Sequence, residues 1–202
     1  MAKYLITPSL LNSWKYAISD ENDYGNLDDF KKVLNKEPME VSEAIQKGFD
    51  YEEYMIENYE PTKDGCYQVV LYKDIETKTG KYLLYGRLDC LKAGKIYDYK
   101  YTGSYDVGKF YDNYQTPIYM LLAEDAYEME YLICNNFNKG KTLDELNIYH
   151  EVYRKDETKT DIGREIDNFI NWLKTNKLYE IFCEKWVSKY DWGILQCKIK
   201  NF

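Results

Sequence analysis

Gly86-Arg87-Leu88-Asp89-Cys90-Leu91-Lys92-Ala93-Gly94-Lys95-Ile96-Tyr97-Asp98-Tyr99-Lys100 is the stretch on which the rest of the chain is organised. It reads as two antiparallel strands joined by a tight turn at Ala93-Gly94. Side chains alternate along an extended strand, so Asp98 and Lys100 share one face and Tyr97, Tyr99 and Tyr101 take the other. Asp89 on the first strand adds a second acid. Carboxylates on adjoining strands are hard oxygen donors suited to a divalent cation, and the lysine would steer a water or an anion beside it.

Outward from this hairpin, Cys66–Ile75 reads as a strand, Thr77–Gly80 as a turn and Lys81–Leu91 as the strand that enters the hairpin. Lys95–Tyr101 is the third strand. Gly103 ends it, and a helix is expected from about 107 to 127, bent in its middle by Pro117. Strands follow at Glu130–Asn135 and Leu146–Arg154. Towards the N-terminus, Thr7-Pro8 reads as an N-cap and first helical residue, with Leu10, Leu11, Trp14 and Ile18 on one apolar face. An acidic, turn-rich stretch over 20–40 holds a short helix around 27–35. A longer helix over about 41–58 offers Ala44, Ile45, Phe49 and Met55 to the core. Past the strands, a helix over about 159–174 places Ile162, Ile166, Phe169, Ile170 and Leu173 at helical spacing. Helical turns near 177–189 and a last strand near 193–200 complete the chain. The fold class is mixed α/β (α+β), a central sheet flanked by helices in the order α-β-β-β-α-β plus C-terminal additions. One domain over 1–202 is expected, its core at about 40–135, a helical N-terminal segment at 5–36 and additions at 145–202.

Charge and composition narrow the function. With 27 basic and 35 acidic residues the net charge is −8, so there is no global attraction to nucleic acid. Binding of a polyanion must come from local cations or from metals that neutralise phosphate. No apolar run reaches the roughly 18 residues of a membrane span, and the start carries no signal-peptide pattern. Five cysteines, odd in number, scattered and never in a CxxC pair, fit a reducing, intracellular, cytoplasmic setting. The single histidine, His150, argues against histidine metal sites and Ser-His-Asp triads and reads as structural. The 23 tyrosines read as compositional bias rather than as a stacking platform.

An acid two residues before a lysine also occurs at Asp29/Lys31, Glu76/Lys78 and Glu157/Lys159, where the surroundings suggest solvated charge. Asp98-Tyr99-Lys100 differs in its strand context and in having Asp89 on the neighbouring strand. Together with Gly86-x-x-Asp89, Ile96-Tyr97 before the acid and Gln115-x-x-x-Tyr119 on the next helix, the chain resembles the PD-(D/E)XK nuclease superfamily, in its RecB/Cas4-like branch. Gly48-Phe49-Asp50-Tyr51-Glu52 is similar to that family's helix motif, and Thr7-Pro8-Ser9-Leu10-Leu11-Asn12-Ser13-Trp14 to the branch's opening segment. The resemblance spans about residues 5–135.

That resemblance implies a restriction-endonuclease-like core and a metal-dependent DNA nuclease, an exonuclease acting on ends or single strands in recombination, repair or phage replication. It implies Asp89 and Asp98 as ligands of Mg²⁺ or Mn²⁺, with Glu52 and the Tyr99 carbonyl completing the protein share. Glu53 and Glu57 lie on the same helix as Glu52 and stay open as the ligand. Lys100 would orient or deprotonate the attacking water and stabilise developing charge, and Gln115 and Tyr119 would face the site and the DNA backbone. Many members of the branch hold an iron–sulfur cluster on four cysteines. Here Ala17 occupies the N-terminal position and the tail offers only Cys183 and Cys197, so no cluster is expected. The chain also lacks a Walker A motif. Implied partners are DNA and either a second copy of the chain or a recombination or replication protein, with no membrane, and the protein looks phage-encoded. The alternative is a nuclease fold used as a non-catalytic module that binds nucleic acid or a protein.

Overall fold

The computed structural model describes residues 3–19, 27–38 and 40–188. The strand expected near 193–200 and Cys197 lie outside the described residues.

The central ribbon forms as its sequence dictates. Strands β2 (Cys66–Thr77) and β3 (Gly80–Lys92) pair antiparallel along their length, and β4 (Lys95–Tyr101) returns beside the end of β3. Ala93 and Gly94 both have positive φ, 48° and 76°, the geometry of a two-residue type I′ turn whose twist matches the flanking strands. A short N-terminal strand, β1 (Tyr4–Ile6), lies parallel to Tyr82–Leu84 of β3. The sequence reading missed it because three residues carry no periodicity. β5 (Glu128–Cys134) runs parallel to β4, and β6 (Ile148–Arg154) closes the sheet antiparallel to β5. A parallel step needs a long crossover, which residues 102–127 supply with helix α4 (Gln115–Leu122).

Helices cover both faces. Residues of α1 (Pro8–Ile18), α2 (Leu27–Leu34), α4, α5 (Ile162–Thr175) and α6 (Tyr179–Lys185) share one core with Ile96, Met129, Tyr131 and Ile133 of the sheet. Thr7 caps α1 by accepting from the Leu10 N–H, a contact worth about 1 kcal/mol. Phe169 of α5 sits at the aromatic centre, 5.5 Å from Trp14 and 5.7 Å from Phe182 between ring centres. Helix α3 (Glu43–Asn58) covers the opposite face, where Tyr51 and Met55 pack with Tyr97, Tyr99, Leu132 and Cys134.

Four sequence expectations are corrected. Ile18 is exposed, because α1 has run past the core by its last turn. In α3 only the C-terminal half meets the sheet, so Ala44 and Phe49 are exposed, Ile45 is half-buried, and the buried pair is Tyr51 and Met55. The helix expected over 107–127 is confined to Gln115–Leu122. Residues 104–113 form turns instead, with Val107 92% exposed and Gly108 at φ 84°, and Glu151 accepts from Tyr105 Oη and the Gly108 N–H, each at 2.8 Å. Pro117 therefore falls in the first turn of α4, where a missing N–H costs nothing and no bend results.

Candidate active site

The site grows out of an interruption in the sheet. Residues two apart on a strand share a face, yet Leu88 packs in the α1/α4/α5 core while Cys90 packs on the α3 side. Across β2, Val69 and Tyr67 divide in the same way. Between them stand Gln68 and Asp89, which face each other but are absent from a ladder otherwise continuous from Cys66↔Leu91 to Thr77↔Gly80. Gln68 has φ 52°, a left-handed conformation that costs a residue with a Cβ about 1–2 kcal/mol. The ribbon thus switches faces at one rung. β3 and β4 are paired only over Cys90–Lys92, and beyond that the Asp89 carboxylate accepts from the Tyr99 N–H at 3.0 Å. A side chain replaces the backbone acceptor that Tyr99 would otherwise lack.

Where the two strands part, the acids gather. Asp98 is 1% exposed, and its Oδ2 lies 2.6 Å from Lys100 Nζ. That ion pair is the polar contact of Asp98 Oδ2 among the described residues. The amide of Gln115, first residue of α4, donates to the other oxygen, Asp98 Oδ1. Tyr119, one turn on, donates to the Arg87 carbonyl at 2.7 Å and ties α4 to β3. Gly86 makes that approach feasible: a Cβ there would sit 2.6 Å from Leu122 Cδ1 and 2.9 Å from Tyr119 Cε1.

A cleft of about 400 Å³ opens over this corner. Asp89, Asp98, Lys100, Gln115 and Tyr119 line it, joined by Arg87 and by Ser9 and Asn12 from the start of α1. The sequence reading assigned no site role to Arg87, Ser9 or Asn12. A signal existed in the opening segment of α1 and in the cation two residues before Asp89.

Glu52 lies off the cleft wall. It comes from α3, and its carboxylate accepts from the Gln68 amide. It still senses the site: burial raises its pKa, Arg87 lowers it and Asp98 raises it further. Glu53 and Glu57 are exposed on the same helix, so Glu52 is the glutamate this fold turns towards the acids. Gln68, which holds it, carried no sequence signal. Burial and the neighbouring Asp98 push the Asp89 carboxyl well above the usual range, against the pull of Lys100 and the Tyr99 N–H. Burial also raises Asp98, while Lys100 and Gln115 pull it down. Lys100 is held above its ordinary value because the surrounding carboxylates outweigh burial. Charge in this corner is concentrated and buried.

Such a donor set fits Mg²⁺ or Mn²⁺ in chemistry: two carboxylates lining one cleft and a third acid within electrostatic reach. Among the described residues no three His, Cys, Asp or Glu side chains are drawn together around one point. The hold of Gln68 on Glu52 accounts for the third acid standing back.

No family model and no curated protein matches this chain. Among solved structures, SSO0001 is similar with a TM-score of 0.50 and 18% identity, over 86% of this chain and 78% of that one. LHK-Exo in complex with dAMP follows at TM-score 0.44 and 13% identity, over 89% and 86%. A candidate exonuclease from Eubacterium rectale follows at 0.36 and 12%, over 88% and 68%. Identities this low speak to fold alone. The class defined here is a mixed α/β domain, a six-stranded mixed sheet with helices on both faces. Among the described residues no helix is long and apolar enough to cross a membrane.

Proposed function

We propose that this chain is a metal-dependent nuclease of the PD-(D/E)XK type, in its RecB/Cas4-like branch, hydrolysing phosphodiester bonds of DNA as an exonuclease on ends or single strands. One observation carries this: Asp98 and Lys100 stand 2.6 Å apart in a cleft, with the Asp89 carboxylate anchored on the intervening Tyr99 N–H.

Asp89 and Asp98 would hold Mg²⁺ or Mn²⁺, with the Tyr99 carbonyl and Glu52 completing the protein share. The cation, when bound, polarises the phosphoryl oxygen and lowers the pKa of a bound water. Lys100 places a fixed ammonium where negative charge builds on the attacked phosphate, or beside the attacking water. Gln115 locks the Asp98 carboxylate in place, and Tyr119 holds the helix that carries Gln115. In this arrangement both side chains are engaged with the protein, so they position the acid and the strand. Arg87, which has no ion-pair partner among the described residues, is the cleft's cation for a substrate phosphate.

The test is cleavage of end-labelled single- and double-stranded DNA in EDTA, Mg²⁺ or Mn²⁺, alongside Asp98→Ala and Lys100→Ala. Metal-dependent shortening from an end, lost in both variants, is the expected result. Cleavage of closed circles would move the assignment to an endonuclease. Absent cleavage with tight metal-independent binding would move it to the non-catalytic module.

A further inference from the structure

A second cleft, of about 720 Å³, has no part in the chemistry above. It adjoins the acid cleft across the first turn of α4: Gln115 lines the acid cleft, while Tyr114, Thr116 and Pro117 line the larger one. A third cleft of about 340 Å³ over α1 joins them, sharing Asn12 with the acid cleft and Lys15 with the larger one. The three clefts are neighbours along the start of α1 and the first turn of α4.

Two features of the large cleft call for a ligand. Arg154 and Lys159 line it, both exposed, and neither has an ion-pair partner among the described residues. Of the acids there, Glu165 accepts from Tyr114 Oη at 2.8 Å, Asp112 faces Lys15 at 3.8 Å, and Glu157 is exposed. In a protein of net charge −8, a lining of Lys15, Arg154, Lys159 and Arg164 against Asp112, Glu157 and Glu165 is a local cationic exception. Tyr111 lines the same cleft and is 74% exposed, its ring 6.3 Å from that of Tyr153. A large flat ring left open to water next to unpaired cations suits a nucleotide, base on ring and phosphate on cation.

We propose that this cleft is a second binding site for the same substrate strand, and that the strand bound there is single. Resting on the nuclease assignment above, it takes a nucleotide upstream or downstream of the scissile bond, with a base on Tyr111 and phosphates on Arg154 and Lys159. Stacking on Tyr111 requires an unpaired base. A duplex presents one charge per about 1.7 Å of its axis to a strongly acidic protein, and the cleft has too few free cations to hold it.

The experiment is anisotropy of labelled oligothymidylates binding to the full chain in EDTA across a salt series. Arg154→Gln/Lys159→Gln lowers the slope of log affinity against log salt by about 1.4, two phosphates at about 0.7 each. Tyr111→Ala weakens binding by about fivefold to a hundredfold. Unchanged affinity and slope in both variants overturn the proposal, as does duplex binding as tight as single-strand binding. Hydrolysis of bis(p-nitrophenyl) phosphate by the unaltered protein with Mn²⁺ reads the acid cleft by itself. Oligothymidylate binding that responds to the variants, without ester turnover, would remove the nuclease assignment and leave this site standing. Turnover with binding insensitive to the variants would remove this site alone.

Discussion

The two faces of β4 are one residue apart in sequence and opposite in character. On the α3 side, Tyr99 Oη donates to Thr62 Oγ1 at 3.1 Å, and Tyr51 Oη from α3 reaches the Leu132 carbonyl at 3.2 Å. Rings are buried and polar tips are paired, so this face holds the fold together. On the α4 side, Asp98 is buried against Lys100, and burial makes Asp89 and Asp98 resist ionisation. Perturbed, buried charge of this kind clusters at sites where a ligand or a reaction uses it. Period-two alternation alone divides stability from chemistry, and substitutions on the two faces should separate the two properties.

Asp98→Asn should break the chemical face most completely. It keeps the shape and removes the charge, so DNA cleavage should fall by about 10²–10⁴-fold in a metal-dependent assay, while thermal unfolding in EDTA moves by only a few degrees. Large loss of folding with retained cleavage would reverse the assignment of the two faces. A pH series sharpens the same point through Asp89. Burial and Asp98 hold its folded pKa well above the ordinary value, so the folded chain binds that proton more tightly than the unfolded chain. Its contribution to stability is therefore full below the unfolded value, about 3.9, and is lost as pH rises through the folded value. Denaturant midpoints in EDTA should fall over that rise, and Asp89→Asn should flatten the fall.

Gly86→Ala comes next, because it acts on the seam between the acids and α4. The added methyl meets Leu122 and Tyr119 closer than non-bonded carbons approach, so the side chains by which α4 packs on β3 must shift. Overpacking of this kind costs about 1–3 kcal/mol. Since α4 carries Gln115, cleavage should fall together with the unfolding midpoint. A variant that loses stability but keeps its cleavage rate would show that Gln115 is not needed to position Asp98.

The hairpin was legible in the sequence because its signals are local. Ala93-Gly94 demands a tight turn, alternation assigns the faces, and the boundaries Lys95–Tyr101 coincide with the strand observed. The helix after it was misjudged because apolar residues near 107–111 imitate helical spacing, while Gly108 and the distant carboxylate of Glu151 decide against a helix. Local pattern cannot register a partner 43 residues away. For the candidate site, the strand residues Asp89, Asp98 and Lys100 were readable as a set, and the structure brings them together. The face switch at Gln68 and Asp89 was not, since glutamine has no preference for positive φ and nothing in Tyr67-Gln68-Val69 marks an interrupted ladder.

That switch gives a smaller, two-signed prediction. Gln68→Gly removes the amide that holds Glu52 and also relieves the left-handed backbone of its Cβ. The denaturant midpoint should rise, while cleavage should fall by about tenfold, the usual scale for losing a partner of a metal ligand, the role proposed for Glu52. Loss of both would mean that the Gln68 amide supports the fold rather than the acid.

The smallest effect tests the quiet face. Tyr51→Phe deletes a buried hydroxyl from the helix that bears Glu52, leaving the Leu132 carbonyl one donor short. The cost should be about 1 kcal/mol, read as a lower midpoint in chemical denaturation with the slope unchanged. Cleavage should stay within about twofold, since the ring still packs against Phe137, whose centre lies 5.5 Å away, and the backbone at Glu52 has no reason to move. A cleavage loss on the scale of Asp98→Asn would show that the hydroxyl sets the position of Glu52. The faces of β4 would then be coupled through α3, and stability and chemistry would share one network.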